Sequence, residues 1–430
     1  MQITKLPKYD KYKSSSESWL GDIPYHWESK KLKHLFYEKK FKSNTDLNCG
    51  SISFGKVVTK DDDKVPEATK ASYQEVLTGE FLINPLNLNY DLISLRIALS
   101  DINVVVSPGY IVLKDKGLID KIYYKWLLHR YDVAYMKLLG SGVRQTINFN
   151  HIANSLLVYP PLAEQIAIAN FLDCKTTLID KAIAIKEKQI ELLKERKQII
   201  IHNAVTRGLN PNVKMKPSGV EWIGEIPEHW EVVKLKFLID KSFSGGTPST
   251  DKLDYWDGGI PWISSVDVKS NNLNITAREI SIKGLLHSSS NLAPKGSVVF
   301  VTRSGILQHT FPISILEREM AINQDIKCLM LAKSIYAEYF QKLIQGNNSQ
   351  ILVETRQQAA TVESINMDAF YNLVIPLPSI EEQKEILKYI DFKTSKIATA
   401  ITLKEQEIER LKEYKSTLID SAVTGKIKVC

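Results

Sequence analysis

The chain repeats itself, and the repeat limits the folds open to it. The stretch Trp19-Leu20-Gly21-Asp22-Ile23-Pro24-Tyr25-His26-Trp27-Glu28 returns as Trp222-Ile223-Gly224-Glu225-Ile226-Pro227-Glu228-His229-Trp230-Glu231, with seven of ten positions identical at an offset of 203. A second block, Glu164 to Thr206, aligns without gaps on Glu382 to Thr424 at an offset of 218, with 21 of 43 positions identical. The chain is therefore a duplicated unit that reads as globular segment, helix, globular segment, helix. Two like halves tend to present equivalent surfaces about a pseudo-twofold axis, so the ligand is expected to have two halves as well.

A length of 430 residues accommodates two globular segments of about 150 residues and two helices. The predicted segments are 1–160 and 208–378, each followed by a helix, 161–207 and 379–430. Apolar residues at 44% and charged residues at 24% describe an ordinary globular composition. No run approaches the 18 apolar residues of a membrane span, and Met1 to Lys13 is polar and Lys-rich, unlike a secretory signal. The expected location is the cytoplasm. Cys49, Cys174, Cys328 and Cys430 are scattered without a Cys-x-x-Cys pair or a nearby His, which argues against zinc and against a disulfide framework. A net charge of +7 permits a polyanionic partner without demanding one.

In the first helix Leu172, Thr176, Ile179, Ile183, Lys186, Ile190, Leu193, Lys197, Ile200 and Ala204 follow one another in alternating steps of four and three, a heptad seam. The second helix keeps the seam at Ile390, Thr394, Ile397, Ile401, Lys404, Ile408, Leu411, Lys415, Leu418 and Ala422. Each stripe needs a partner, and the other copy is the obvious one. About a pseudo-twofold axis the two would lie antiparallel as a coiled coil, with the globular segments at opposite ends. A 43-residue helix spans roughly 65 Å, longer than a 150-residue domain is wide, so it is suited to act as a spacer. The seam lysines are expected to snorkel, set the register, or mark a bend. Ser379 and Glu382 form a Ser-x-x-Glu capping box for the second helix, whereas Pro160 and Pro161 start the first. Gly208, Asn210 and Pro211 stop it.

Short β-branched runs separated by turns mark strands at Asn103 to Val106, Gly109 to Leu113, Gly296 to Val301 and Ile313 to Leu316. Short helices are expected at Lys121 to Leu138 and Ile335 to Leu343, so each half reads as α+β. Between the repeated ends the second copy carries 15 extra residues, and little identity is visible there. A kept scaffold with a diverged interior points to two modules that bind different things in equivalent positions. At the exit of each half, Thr146-Ile147-Asn148 matches Ser364-Ile365-Asn366, preceded by polar loops carrying Arg144 and Arg356.

Signatures of chemistry are sparse. No Gly-x-x-x-x-Gly-Lys-Ser/Thr loop occurs, and Gly245-Gly246-Thr247-Pro248-Ser249 lacks the strand-then-helix setting of a phosphate loop, so it reads as a glycine-stabilised turn. A DNA amino-methyltransferase would need an Asn-Pro-Pro-Tyr/Phe type motif, and Asn84-Pro85-Leu86-Asn87 has neither the second proline nor the ring. Asp61-Asp62-Asp63 reads as a solvated turn, and His26 and His229 as packing or hydrogen-bonding residues within the repeated block.

The Trp-Leu/Ile-Gly-Asp/Glu-Ile-Pro-x-His-Trp block, the Pro-Leu-Ala-Glu-Gln and Pro-Ser-Ile-Glu-Glu-Gln helix starts and the paired long helices together resemble the specificity subunit of type I DNA restriction-modification systems. The Gly245 to Ser249 stretch, followed by Tyr255-Trp256 and Gly259-Ile260-Pro261-Trp262, also resembles the opening of target-recognition domains in that family. The likeness covers nearly the whole chain. It implies two α+β target-recognition domains, each reading half of a bipartite site in double-stranded DNA, with two antiparallel helices between them as a ruler. It further implies that two methyltransferase subunits dock on the helices and that endonuclease/translocase subunits complete the complex. S-adenosylmethionine, magnesium and ATP then belong to the partners, and this chain is non-catalytic and needs no cofactor. Half-sites about one helical turn apart, roughly 34–36 Å, suit such a spacer.

Lys and Arg would position each module on phosphates, while Arg, Asn, Gln and Ser read base edges. The candidates in the first half are Lys56, Asn87, Asn89, Arg96, Arg144 and Gln145, and in the second Lys269, Arg303, Gln308, Arg356 and Gln357. Arg96 has an alternative as a strand residue paired to an acid. The competing function is an architectural adaptor that spaces two protein partners; steep salt dependence of binding would separate DNA from such a partner.

Overall fold

A computed structural model describes residues 6–86, 95–136, 147–357 and 362–429. Two compact units divide the chain, one made of Met1–Lys186 with Gln406–Cys430 and the other of Glu187–Glu405. The divisions fall inside two long helices, α2 (Leu162–Arg207) and α4 (Ile380–Val423). Each unit thus combines one globular segment, the first half of the helix that follows it, and the last half of the other helix. Shorter helices, α1 (Lys121–Ala134) and α3 (Ala337–Gly346), occupy the same place in the first and second segments. α3 begins two residues later than its pattern predicts, because Ile335 closes a turn onto the Ala332 carbonyl instead.

The helix ends follow their local chemistry. Ser379 and Glu382 form the expected box at the start of α4: Ser379 N donates to Glu382 Oε2 at 3.2 Å, and Glu382 N donates to Ser379 Oγ at 3.3 Å. At the start of α2 the Pro161 carbonyl accepts from the amides of Glu164 and Gln165. Gly208 and Gly425, just past the two C-termini, have φ of +72° and +74°, a region where a side chain is strained.

In the first unit Leu172, Thr176 and Ile179 of α2 are buried, as are Leu418 and Ala422 of α4. Asp180 accepts from Lys415 at 2.7 Å, and Lys186 pairs with Glu407. Rising numbers on α2 meet falling numbers on α4, so the helices run antiparallel here. Both seam lysines reach acids at the edge of the seam, as snorkelling requires. In the second unit Ile190, Ile390 and Ile397 stay buried, but Lys197 is exposed and Ile201 replaces Ile200 in the core. The heptad period of 3.5 drifts against a straight helix of 3.6 residues per turn, which moves the stripe by one position as α2 reaches the second segment.

The first segment has a four-stranded antiparallel sheet built from β1 (Phe36–Glu38), β4 (Phe81–Ile83), β5 (Ile97–Leu99) and β6 (Ile111–Asp115), in the order β1-β6-β4-β5. A hairpin of β2 (Gly50–Ser53) and β3 (Lys56–Thr59) lies within it in sequence. In the second segment β7 (Ile239–Ser244), β9 (Val298–Val301), β10 (Ile313–Leu316) and β11 (Ile326–Leu331) follow the order β7-β11-β9-β10, and β8 (Asn272–Leu273) adds a parallel edge. The plan is the same. Phe36 pairs with Asp115 where Ile239 pairs with Leu331, and Phe81 with Leu113 where Val298 pairs with Leu329. The diverged middle therefore keeps a common α+β core, and most of the extra residues fall between the first and second strands of that sheet, the stretch that contains β8.

The repeated blocks clasp the helices through the same His, Trp and Glu, with Tyr9 an added donor in the first unit. In the first unit Glu164 accepts from His26 Nε2 at 2.6 Å, Trp27 Nε1 at 3.0 Å and Tyr9 Oη at 2.8 Å. In the second, Glu382 accepts from His229 Nε2 at 2.7 Å and Trp230 Nε1 at 3.1 Å. Trp27 and Trp230 are fully buried. The adjoining Gln165 accepts from the Asp120 amide ahead of α1, and Gln383 from the Tyr336 amide ahead of α3. Tyr123 of α1 donates to the Val423 carbonyl of α4, and Tyr339 of α3 to the Val205 carbonyl of α2. His26 and His229 are thus structural, as their setting predicts.

Candidate nucleic-acid interface

Four of the candidate residues of the second segment come together. β9 ends at Val301, and the next residues are stitched to a short ribbon in which Arg356 pairs with Ile365 and Gln357 with Ser364. The Ile365 amide donates to the Thr302 carbonyl, and the Ser304 amide to the Glu363 carbonyl. This brings Arg303, Gln308, Arg356 and Gln357 to one exposed edge. Arg356 Nη1 donates to the Gln308 carbonyl at 3.4 Å, and Gln357 Nε2 to Ser364 Oγ at 3.2 Å. Arg303 faces Asp325 at 3.4 Å with 63% of its side chain exposed, and Arg356 faces Glu363 at 3.9 Å. A guanidinium has five N–H donors, so one acid at its base orients it and leaves donors for an outside acceptor. Such an edge is chemically suited to phosphates and base edges.

Lys269, the fifth candidate, stands apart from this edge, in a groove with Lys194, Lys197 and Lys342. Lys194 and Lys342 are residues that the sequence reading missed, and Lys197 figured there only as a seam position. No spacing in the sequence singles out either of them.

In the first segment Lys56 opens β3 and is exposed. It follows a two-residue turn, Phe54-Gly55, with φ of +46° and +72°. Phe54 is 84% exposed. An aromatic side chain held out in the left-handed region is rare, since Asn-Gly is the usual sequence there. Arg96 corrects the surface expectation: it is paired to an acid, as the alternative has it, but lies just ahead of the strand Ile97–Leu99 and not within it. It is buried, its Nε lies 3.1 Å from Asp132 Oδ1, and its amide donates to Asp132 Oδ2. Arg96 stands one residue ahead of β5 with its guanidinium turned inward onto α1, where only a paired acid makes it tolerable. Asn87, Asn89, Arg144 and Gln145 lie outside the described residues.

The motifs set aside as structural are structural here. A side chain on Gly245 would lie 1.8 Å from the Ile322 carbonyl oxygen, and one on Gly246 would lie 1.9 Å from Ser289 Oγ. Trp262 Nε1 donates to the Gly246 carbonyl, Trp256 Nε1 to the Ser249 carbonyl, and Arg278 stacks 3.6 Å over Trp256. These glycines permit close packing of the loop on a strand. Asp62 accepts from the Cys49 amide and Lys70, tying its turn to β2. Among the described residues no group of three or more His, Cys, Asp or Glu is placed to hold a metal ion, and no helix is long and apolar enough to cross a membrane.

The family model described as type I restriction modification DNA specificity domain matches twice, over residues 24–195 and 227–413. The specificity subunit of the Escherichia coli type I restriction enzyme EcoR124I/EcoR124II is 34% identical over 179 residues, 41% of this chain and 44% of that one. A putative type I restriction enzyme MjaX specificity subunit of Methanocaldococcus jannaschii is 24% identical over 99% of both chains. Among solved structures, a chain from a study of complex assembly and conformational transition of the type I R-M system covers 93% of this chain and 98% of its own length at a TM-score of 0.69 and 15% identity. The HsdS subunit from Thermoanaerobacter tengcongensis covers 94% and 98% at a TM-score of 0.51, also at 15% identity. At these identities the two structures speak for the fold alone. With two matches that together take in most of its length, the chain belongs to the type I restriction modification DNA specificity domain family.

Proposed function

We propose that this chain is the sequence-reading component of a type I restriction-modification complex, with target-recognition domains at 1–160 and 208–378 that each read half of a bipartite site in double-stranded DNA. The observation that carries this reading is the duplication itself: two segments with one strand plan, each clasped in the same way to a long helix. The exposed edge of Arg303, Gln308, Arg356 and Gln357 supplies donors suited to DNA. Arg303 and Arg356 would take phosphates, and Gln308 and Gln357 base edges.

Two methyltransferase subunits would dock on the helices 161–207 and 379–430, and endonuclease/translocase subunits would complete the assembly. Leu178, Ile185, Leu192 and Ile199 recur every seven residues along α2 and are each more than half exposed, which supports a partner helix on that stripe. Catalysis and its cofactors would lie with those partners, in the cytoplasm. The helices would set the gap between half-sites, so removing one heptad from α2 and from α4 changes the gap and leaves the half-sites as they were.

The test is a base-resolution map of N6-methyladenine in cells that carry the chain with its methyltransferase, compared with cells lacking only the chain. Loss of a split motif with a fixed unspecified gap supports the reading. Unchanged methylation in the presence of an assembled complex refutes it and favours a protein-spacing adaptor. The purified chain alone is expected neither to methylate nor to cut DNA.

A further inference from the structure

Four lysines of the second unit converge on one groove. Lys194 and Lys197 come from α2, Lys342 from α3 and Lys269 from the loop ahead of β8, around a cleft of about 570 Å³ with Ile201 and Phe311 among its lining. Among the described residues none of the four makes an ion pair. Burial pushes the Lys342 ammonium below its ordinary value; Asp391 draws it up and Lys197 pushes it further down. Unpaired like charges that face one another are an unfavourable arrangement that an incoming anion relieves.

The internal repeat shows that the missing ion pair at Lys197 is particular to the second unit. In the first unit Lys415 is held by Asp180 at 2.7 Å, and Lys186 by Glu407. At the offset of 218, Lys197 and Lys404 occupy the same positions as Lys415 and Lys186, but Asp180 and Glu407 correspond to Ala398 and Gln189. The second copy keeps both cations and lacks both acids.

The groove adjoins the arginine edge through a single loop. Ile306, Thr310 and Phe311 line the cleft, while Arg303 and Gln308 of the same loop stand at the edge. An extended polyanion that reaches the arginines therefore continues naturally into the lysines, whereas a short acidic peptide would have no reason to engage both. We propose that the groove holds backbone phosphates of the duplex beside the half-site read by the second unit, as an anchor indifferent to base sequence. The proposal rests on the DNA-reading assignment above.

The experiment uses the complex assembled with its methyltransferase subunits and duplex DNA carrying the mapped site. Dissociation constants are measured over a range of salt concentrations for the wild type, for K194Q/K197Q/K269Q and for A398D, which supplies the missing acid opposite Lys197. Each lost phosphate contact lowers the salt slope by about 0.9, so the triple variant is expected to lose about 2–3 and A398D up to about 1. Specific and unrelated DNA should weaken by the same factor, and the methylated motif should stay unchanged. Unchanged affinity and slope in a triple variant that assembles normally overturn the proposal. So does impaired subunit assembly with an intact salt slope, which would assign the groove to an acidic protein surface, and so does a changed motif. A wild-type complex that leaves no methylated motif overturns the functional reading itself, and that result precedes any variant.

Discussion

Glu164 and Glu382 show how one residue type at a repeated position organises each unit. For Glu164 burial pushes the carboxyl up, but the donors Trp27, His26 and Tyr9 outweigh it and hold the group below its ordinary value of 4.5. For Glu382 the same balance holds, with His229, Trp230 and Ser379 as donors. A carboxyl whose folded value is depressed contributes stability above its unfolded value, and that contribution is lost as pH falls through the folded value. Thermal melting should therefore separate the wild type from E164Q/E382Q at pH 7, and the two curves should converge as pH drops below about 4.5. A gap that persists or widens in acid would show that the carboxylate charge is not what stabilises the clasp. Arg96 makes the opposite case. D132N leaves a buried guanidinium without its anion and is expected to cost about 3–5 kcal/mol in denaturant unfolding, while DNA affinity of the folded fraction stays as it was. By contrast, R303A/R356A should leave stability within about 0.5 kcal/mol and weaken DNA binding for all sequences. His26, Glu164 and Arg96 are all visible as unusual residues in the sequence. Only for the histidines did an exact repeat reveal a structural role in advance. Arg96 had no second copy to compare, and its acid lies 36 residues away on α1.

At the scale of elements, the helix ends and the seam follow from local rules, and the sheet does not. Capping chemistry, proline and glycine act within a few residues, so the start of each long helix and the end of the first fall within one position of the sequence reading, whereas the second, expected to run to 430, ends at Val423 ahead of Gly425. Gly208 and Gly425 are constrained twice over, by φ and by what faces them. A side chain at Gly425 would lie 2.4 Å from Pro24 Cδ, and one at Gly208 would lie 3.2 Å from Trp230 Cζ2. G425A should therefore destabilise the first unit by more than the 1–2 kcal/mol roughly charged for a left-handed alanine, and G208A by less, as read by hydrogen exchange at Trp27 and Trp230. Equal losses would mean that backbone strain alone acts. The four-stranded sheet was invisible as a repeat because it keeps only alternation and burial. Val, Ile, Leu and Phe substitute for one another on a pleated face without leaving identity behind.

For the whole molecule, the stretch that follows α4 returns to the first segment. Lys428 N donates to the Pro7 carbonyl, and Gly425 packs on Pro24 where Gly208 packs on Pro227 and Trp230. A chain permuted by joining residue 429 to residue 6 and opened within 209–213 should fold and retain its melting temperature within a few degrees. A large loss would mean that the linker Leu209 to Val213 carries tension that the other junction does not. The sequence alone was enough for the duplication, the two helices and their antiparallel pairing, and the family, because heptads, caps and repeated blocks are local or self-comparing signals. Only the tertiary structure decided that the diverged middles share one sheet, that Arg96 is core, and that Lys194, Lys197, Lys269 and Lys342 meet. Those residues are separated by up to 148 positions in the chain, and their convergence depends on how α2, α3 and the loop ahead of β8 pack, which no spacing of residue types encodes.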